Sequence, residues 1–378
     1  MLLNGKNDAM DERAAIREEW LEGLEPPQRA QRRALLERLA AQGFSAEELE
    51  RAVAEDRLVL LGVERVLGAA LSAEEIERRT GVPAARLSRA RRLMGLPEPD
   101  AHERVFSEED VAAAQAIKLF IDAGIEEEAM DETTAVLGEG MARLAATIDA
   151  QFLQTFLRAG DSEEEAAERL TLIAAELTPA FGPVLMSAFT AQLRASVARG
   201  VLGREELSSG QRAAQQVLAV CFVDMVGFTR LGVEIEVLEL GAIARHLARL
   251  AATVVSPPAR LIKTIGDAAM FISPDPAALV EVALDLLDGA AAEDLPVLRA
   301  GIAFGPAVER AGDYYGNTVN LASRVTGVAR PGSVLCTAEI RDCSADAFDW
   351  SFAGRHRLKG VSRPAPLHRA RRAATSRP

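Results

Sequence analysis

VLAVCFVDMVGFT, residues 217–229, opens the stretch that sets the fold. Its first seven residues are all apolar and rich in valine, a run too short for a buried helix, and they spell a buried strand. The strand ends on Asp224, and Gly227-Phe228-Thr229 then opens a helix whose apolar face is marked by Leu231, Ile235, Leu238 and Ala242. LIKTIGDAAMFI, residues 261–272, follows as two strands, 261–265 and 269–272, around a Gly266-Asp267 turn. Leu279, Val282, Leu286 and Leu287 mark another helix. Beyond it come a strand at 298–304, a helix at 319–328, a strand at 333–337 and a near-terminal hairpin carrying Leu358-Lys359-Gly360. Strands alternating with helices predict an α/β sandwich with helices on one face of a sheet.

Upstream of Gln216 the texture is different. Residues 1–200 are dominated by Glu, Ala, Leu and Arg, with apolar residues at three- and four-residue steps, as in Leu35, Leu36, Leu39 and Ile117, Phe120, Ile121. Ser45, Ser72, Ser107 and Ser162 each precede an acidic run with a carboxylate three residues on, the signature of a capping box. Breaks are expected at Pro26-Pro27, Gly43, 81–83, Leu96-Pro97, Gly124, Gly160 and Gly182-Pro183. The chain as a whole carries a formal charge of −13, but residues 1–211 hold 39 acids against 24 Lys and Arg, and the remainder is close to neutral. Four regions are expected: an all-helical region at 1–200, a linker at 201–215, a mixed domain at 216–370 and a disordered basic tail at 371–378. The acidic balance argues against nucleic acid as a partner of the helical region. No run of 18 apolar residues is read along the chain, 58–71 being interrupted by Glu64 and Arg65, and 1–11 lack the apolar core of a signal peptide. A cytoplasmic chain without a membrane partner is the expectation. Cys221, Cys336 and Cys343 have no metal-ligand spacing, and the first two suit strand interiors.

The chemistry concentrates in the second half. Asp224 ends one buried strand and Asp267 occupies the hairpin turn, so both acids are expected at one sheet edge. Two carboxylates brought close together are costly unless a cation neutralises them, and an open two-acid site suits Mg²⁺, which keeps waters and binds phosphates. Either acid alone would read equally well as an ordinary turn residue. Gly227-Phe228-Thr229 offers helix-start N–H groups to phosphate, a weak signal by itself. In GDYYGNTVNLASR, 312–324, Asn320 and Arg324 stand one turn apart on one face of an otherwise small and apolar helix. An Arg there offers a fixed fork to phosphoryl oxygens, although a solvated polar face is the plainer reading. Lys359 in its hairpin would ordinarily be a solvated side chain.

Residues 222–229, Lys263-Thr264-Ile265-Gly266-Asp267 and 312–324, taken together in this order and spacing, resemble the class III nucleotidyl cyclase catalytic domain, over about 215–370. The resemblance implies an α+β fold, a ferredoxin-like core sheet with helices, preceded here by an all-α regulatory domain. It implies an adenylyl cyclase that forms cyclic AMP and pyrophosphate from ATP, with two Mg²⁺ or Mn²⁺ ions per site held by Asp224 and Asp267, the Met225 carbonyl adding a ligand. Lys263 and Asp313 are similar to the pair that reads adenine, Asn320 to the residue that orients ribose, Arg324 to the one that stabilises the α-phosphoryl transition state, and Lys359 to the triphosphate-binding lysine. One position departs: where some cyclases carry Arg after the glycine at 305, Pro306 stands. The family's site lies between two catalytic domains, which implies a head-to-tail homodimer with composite sites.

The helical region resembles the N-terminal domain of the mycobacterial acid-responsive class III cyclases, which implies an inhibitory domain relieved at acid pH. Crowded carboxylates with raised pKa values are the expected physical basis, and His102 is the one histidine in that region. A rival reading concerns 71–125. Ser72 to Arg79, the 81–83 turn, and a second helix bearing Arg86, Arg89, Arg91 and Arg92 resemble a helix-turn-helix of the MerR type, which would make the chain a DNA-binding regulator fused to a cyclase. Two more rivals are a catalytically inactive nucleotide-binding homologue and a diguanylate cyclase; the Gly-Gly-Asp/Glu-Glu-Phe motif of the latter is missing.

Overall fold

A computed structural model describes residues 16–68, 70–100, 103–199, 215–361 and 363–373. Most of the expected linker (201–214), His102 and the last five residues of the expected tail lie outside the described residues. The chain divides into two compact units, Met1–Val201 and Leu202–Pro378.

The described part of the first unit is helical, with α1 (Pro26–Ala41), α2 (Ala46–Ala54), α3 (Leu61–Leu67), α4 (Ala73–Thr80), α5 (Ala84–Leu93), α6 (Glu108–Asp122), α7 (Glu127–Phe156) and α8 (Glu163–Arg199). All four serine caps form. Ser45, Ser72, Ser107 and Ser162 accept from the N–H three residues on, and Glu48, Glu75, Asp110 and Glu165 return the bond to the cap N–H. Two small cores result. Trp20, Leu35, Leu36, Leu39, Leu49 and Leu58 fill one. Ile76, Val82, Leu87, Phe106 and Val111 fill the other, between α4, α5 and α6.

Two expectations for this unit fail. Gly182-Pro183 does not break the chain, since α8 runs through both Pro179 and Pro183. An interior proline removes one helix hydrogen bond at a cost of about 3 kcal/mol, and the strong helix formers around it carry the helix across. The same helix is where the described chain comes closest to a membrane-length apolar segment. An 18-residue window within Glu163–Ala198 has mean hydropathy 1.5 with only 6% of it buried, enough by length and composition to cross a membrane. The 58–71 segment instead folds into short helical turns with Leu58 and Leu61 buried.

The second unit is a mixed sheet. Its elements are β1 (Gln216–Met225), α9 (Phe228–Glu234), α10 (Val237–Val254), β2 (Arg260–Ile265), β3 (Ala268–Ser273), α11 (Pro276–Ala292), β4 (Leu298–Arg310), β5 (Asp313–Tyr315), α12 (Asn317–Val328), β6 (Val334–Thr337), α13 (Ala338–Cys343), β7 (Phe348–His356) and β8 (Ala365–Arg372). The strand order is β2-β3-β1-β4-β6-β8-β7, with β5 paired to β4. The first four strands and their helices make the ferredoxin-like core, and β6 runs parallel to β4.

The strand alternation of β1 assigns the faces. Ala219, Cys221, Val223 and Met225 point into a core with Leu247 and Leu250 of α10, Leu279 and Leu286 of α11, and Ile340 of α13. Leu218 and Val220 point the other way, into a second core with Tyr314 and with Ala322 of α12. Helices therefore cover both faces, where the sequence pattern predicts one. The reason is that α12 packs through small residues and shows no broad apolar stripe. A Cβ placed on Gly301 of β4 would lie 2.1 Å from the Thr326 backbone nitrogen. Thr326 Oγ1 also donates to the Phe222 carbonyl at 3.2 Å.

The expected basic tail is corrected at its start. β8 continues through Arg371 and Arg372, because Arg372 reaches three acids of α11: it pairs with Glu281 and Asp285, and its Nε stands 3.4 Å from Asp288. Cys221 and Cys336 are free and buried in β1 and β6, as their sequence context predicts.

Candidate active site

Asp224 is the penultimate residue of β1 and points to the α12 face. Its cross-strand neighbour on β3 is Ala268, which places it beside the turn residue Asp267. The two acidic segments are tied together by the Met225 N–H, which donates to the Asp267 carbonyl at 3.0 Å. Gly266 adopts a φ of 58°, a left-handed conformation that glycine takes without strain, and this sharp turn presents Asp267 at the hairpin tip. Burial first, and then the charge of Asp224, push the Asp267 carboxyl above its ordinary range. Its own backbone N–H and Arg299 act in the opposite direction.

This donor set fits a hard divalent cation. Two carboxylates converge, one of them disfavoured as a bare anion. Among the described residues no group of three or more acids, histidines or cysteines completes a protein cage. Such a site suits a cation that keeps waters and shares its coordination with phosphates. Met225 contributes a side chain buried in the sheet core, so any role it has is confined to its backbone.

Lys263 of β2 and Asp313 of β5 form an ion pair, and Asp313 Oδ1 also accepts from the Tyr314 N–H at 2.8 Å. The next side chain anchors this corner. Tyr314 is buried, its hydroxyl accepting from Arg260 at 3.2 Å and donating to Glu309 at 2.8 Å. On α12, Asn320 is exposed and Arg324 half-buried one turn later. The connection between β7 and β8 approaches that arginine. Buried Leu358 fixes this connection, Lys359 is exposed, and Gly360, at φ 73°, has its backbone against the Arg324 guanidinium. Gly227, at φ 80°, starts α9 without a side-chain cap, leaving first-turn N–H groups beside Phe228 and Thr229 open to an external acceptor.

The expected site residues thus fall into three sets within one chain: the paired acids, the Lys263–Asp313 pair, and Arg324 with the Lys359-Gly360 turn. Sequence reasoning passed over Arg299, which opens β4 directly across from Asp224 and bonds to it. Its one signal was a charge at the start of an otherwise apolar strand. It also passed over the Arg260–Tyr314–Glu309 chain and the requirement for glycine at 360.

The arginines of the helix-turn-helix reading are committed elsewhere. Arg86 and Arg89 pair with Glu127 and Asp131 of α7, Arg92 with Glu98, and Arg91 stacks on Phe106 and bonds to the Val105 carbonyl. A helix whose cations are neutralised by its own fold has little to offer a phosphate backbone.

A mixed sheet with paired acids at a β1 end and hairpin, facing a helix with Asn and Arg one turn apart, defines a nucleotidyl cyclase domain. The family model for the adenylate and guanylate cyclase catalytic domain matches residues 211–368, and that for the adenylate cyclase regulatory domain matches 13–197. The chain is 37% identical over 367 residues to the pH-sensitive adenylate cyclase of Mycobacterium tuberculosis, covering 92% of this chain and 89% of that one. It is 33% identical over 261 residues to an adenylate cyclase of Streptomyces coelicolor, covering 68% and 67%. Among solved structures, the adenylyl cyclase CyaB from P. aeruginosa covers 43% of this chain and 96% of its own, at 21% identity and TM-score 0.38. The chain belongs to the class III adenylate cyclases that carry a regulatory domain ahead of the catalytic one.

Proposed function

We propose that this enzyme converts ATP to cyclic AMP and pyrophosphate at composite sites in a head-to-tail homodimer, and that its helical domain restrains it until the pH falls. The observation that carries the substrate assignment is the Lys263–Asp313 pair. Adenine presents an acceptor at N1 beside a donor amine, and a lysine beside a carboxylate matches that order; guanine presents the reverse.

In this reading Lys263 donates to N1 and Asp313 accepts from the amine. Asn320 orients the ribose so that its 3′-hydroxyl oxygen lies in line with the α-phosphorus. The hydroxyl gives up its proton to solvent, the bond from O3′ to phosphorus forms as the bond to the bridging oxygen of the β-phosphate breaks, and pyrophosphate leaves. Arg324 meets the charge that develops on the α-phosphoryl oxygens, and Lys359 holds the triphosphate. Asp224 and Asp267 would hold Mg²⁺ or Mn²⁺, two ions per site, which would supply positive charge against the phosphates and the 3′ oxygen. The first-turn N–H groups after Gly227, beside Phe228 and Thr229, receive the triphosphate, and Pro306 makes no phosphate contact of the arginine type.

Pairing of two copies also accounts for the outer face of α8. Met186, Phe189, Leu193 and Val197 are exposed there, and an uncovered apolar face of this length calls for a partner. A second copy is the partner the composite site already requires, and the chain so assembled is a cytoplasmic protein. The relative's description as pH-sensitive supports the acid response. The test is product analysis with full-length protein at pH 6, ATP or GTP, and Mn²⁺ or Mg²⁺. Cyclic AMP from ATP is expected; its absence with either metal overturns the assignment.

A further inference from the structure

Arg299 has an unusual set of bonds. Its Nε and Nη2 both donate to one oxygen of Asp224, Oδ2, at 3.0 and 2.6 Å. The remaining nitrogen, Nη1, donates to the Gly327 carbonyl at 3.2 Å, in the last turn of α12. Both side chains of the pair are about a quarter exposed, so the bond is shielded but open on one side. Register explains the placement, because Asp224 and Arg299 are direct partners in the β1/β4 ladder. The guanidinium also acts on Asp267 through space. The acidic site therefore holds two carboxylates and one fixed cation, a net charge of −1 where the acids alone would give −2.

A divalent cation gains less from a site of charge −1 than from one of −2. The triphosphate of a nucleotide supplies the missing negative charge. Among the described residues Asp224 is held by Oδ2 alone, which leaves Oδ1 available. We propose that Arg299 is a positioning residue and built-in counter-ion that keeps the divalent cation from binding tightly ahead of the nucleotide, so that metal and nucleotide enter together. This rests on the reading of Asp224 and Asp267 as the metal-holding acids. The tether to Gly327 keeps the guanidinium in place, so that it screens the acids without depending on a flexible side chain.

The test measures Mn²⁺ binding directly, by the free-ion electron paramagnetic resonance signal, in full-length protein with and without an ATP analogue whose α–β bridge is methylene. Wild type is expected to bind Mn²⁺ weakly alone and about tenfold more tightly with the analogue. Arg299→Gln is expected to bind Mn²⁺ alone at least about fivefold more tightly than wild type, with a smaller further gain from the analogue. Arg299→Lys keeps the charge but cannot span Asp224 and Gly327, and is expected to fall between the two. A residue that only supported the fold would lose metal affinity on substitution. Melting curves identify which variants fold, and either folded variant that binds Mn²⁺ no more tightly than wild type overturns the inference. Asp267→Asn separates the two claims. Loss of analogue-assisted Mn²⁺ binding there, with unchanged affinity in the Arg299 variants, removes the counter-ion role alone. Retained binding in Asp267→Asn removes the metal reading and this inference with it.

Discussion

The guanidinium of Arg324 lies against the backbone of Gly360: a Cβ placed there would stand 3.2 Å from Nη1 and 3.5 Å from Cζ. Gly360 also has a φ of 73°, which costs other L-residues about 1–2 kcal/mol. Gly360→Ala should therefore push the arginine out of line while the sheet remains folded. The expected result is a fall in kcat of about 10- to 100-fold with the melting temperature nearly unchanged. Wild-type turnover in this variant would show that the glycine turn does not position Arg324.

The composite-site reading is tested by mixing inactive chains. Asp224→Ala and Arg324→Ala should each be nearly inactive as homodimers. Random exchange gives half heterodimers, each with one intact site of two, so about a quarter of wild-type activity should return. If heterodimers form and no activity returns, the acids and the arginine belong to the same site within one chain.

How far the sequence foretold these relationships depends on how local the cause is. The hairpin with Asp267 at its tip and the four serine caps are written in runs of a few residues and are found as read, and the strand read as ending on Asp224 runs one residue further, to Met225. Arg299 was hidden because its partner is 75 residues away in sequence and only the β1/β4 register joins them. The second helical face was hidden because Gly301, Ala322 and Thr326 achieve contact by smallness, and small residues leave no apolar stripe. Arg371 and Arg372 read as solvated tail because the acids that hold Arg372 belong to α11. The continuity of α8 across two prolines goes against local propensity altogether.

Base selection follows from the Lys263–Asp313 pair. Lys263→Glu with Asp313→Cys removes the donor for N1 and the acceptor for the amine. Each buried polar group left unpaired costs roughly 1–3 kcal/mol, so kcat/KM for ATP should fall about 5- to 150-fold per group. The measurement is kcat/KM for ATP and GTP in parallel. Unchanged selectivity would mean that the pair does not read the base.

The contact between α12 and the sheet sets the position of both Asn320 and Arg324. Gly301→Ala would drive a methyl group toward the Thr326 backbone nitrogen, 2.1 Å from the ideal Cβ position, and backbone cannot move aside as a side chain can. Overpacking of this kind costs about 1–3 kcal/mol. A lower melting temperature should accompany reduced activity. Wild-type stability would show that the helix has room to shift.

The acid response makes the most exposed prediction. In this conformation the helical domain is paired rather than crowded. Hydrogen bonds from Arg33 hold Glu18 below its ordinary range, those from Arg79 hold Glu108, and those from Arg169 hold Asp161; the capping serines hold Glu75 and Glu165. A depressed carboxyl stabilises its state above the ordinary carboxylate pKa, and the stabilisation is lost as pH falls through the lowered value. Protons therefore favour any arrangement in which these acids are unpaired. If that released state crowds them and raises their pKa values, it begins to gain as pH drops toward 6, before the paired state itself titrates. On this argument the paired arrangement is the restraining one. Full-length enzyme should be several-fold more active at pH 6 than at pH 8, because a carboxyl raised into that interval in the released state shifts the balance by at most about tenfold per pH unit. Its melting temperature should stay nearly level over the same interval, because the lowered groups titrate below the ordinary carboxylate range. The fragment 211–378 should be active without the acid dependence. Equal pH 6 to pH 8 activity ratios for the two proteins, or lower activity at pH 8 once residues 1–210 are removed, would show that the helical domain is not an acid-released inhibitor.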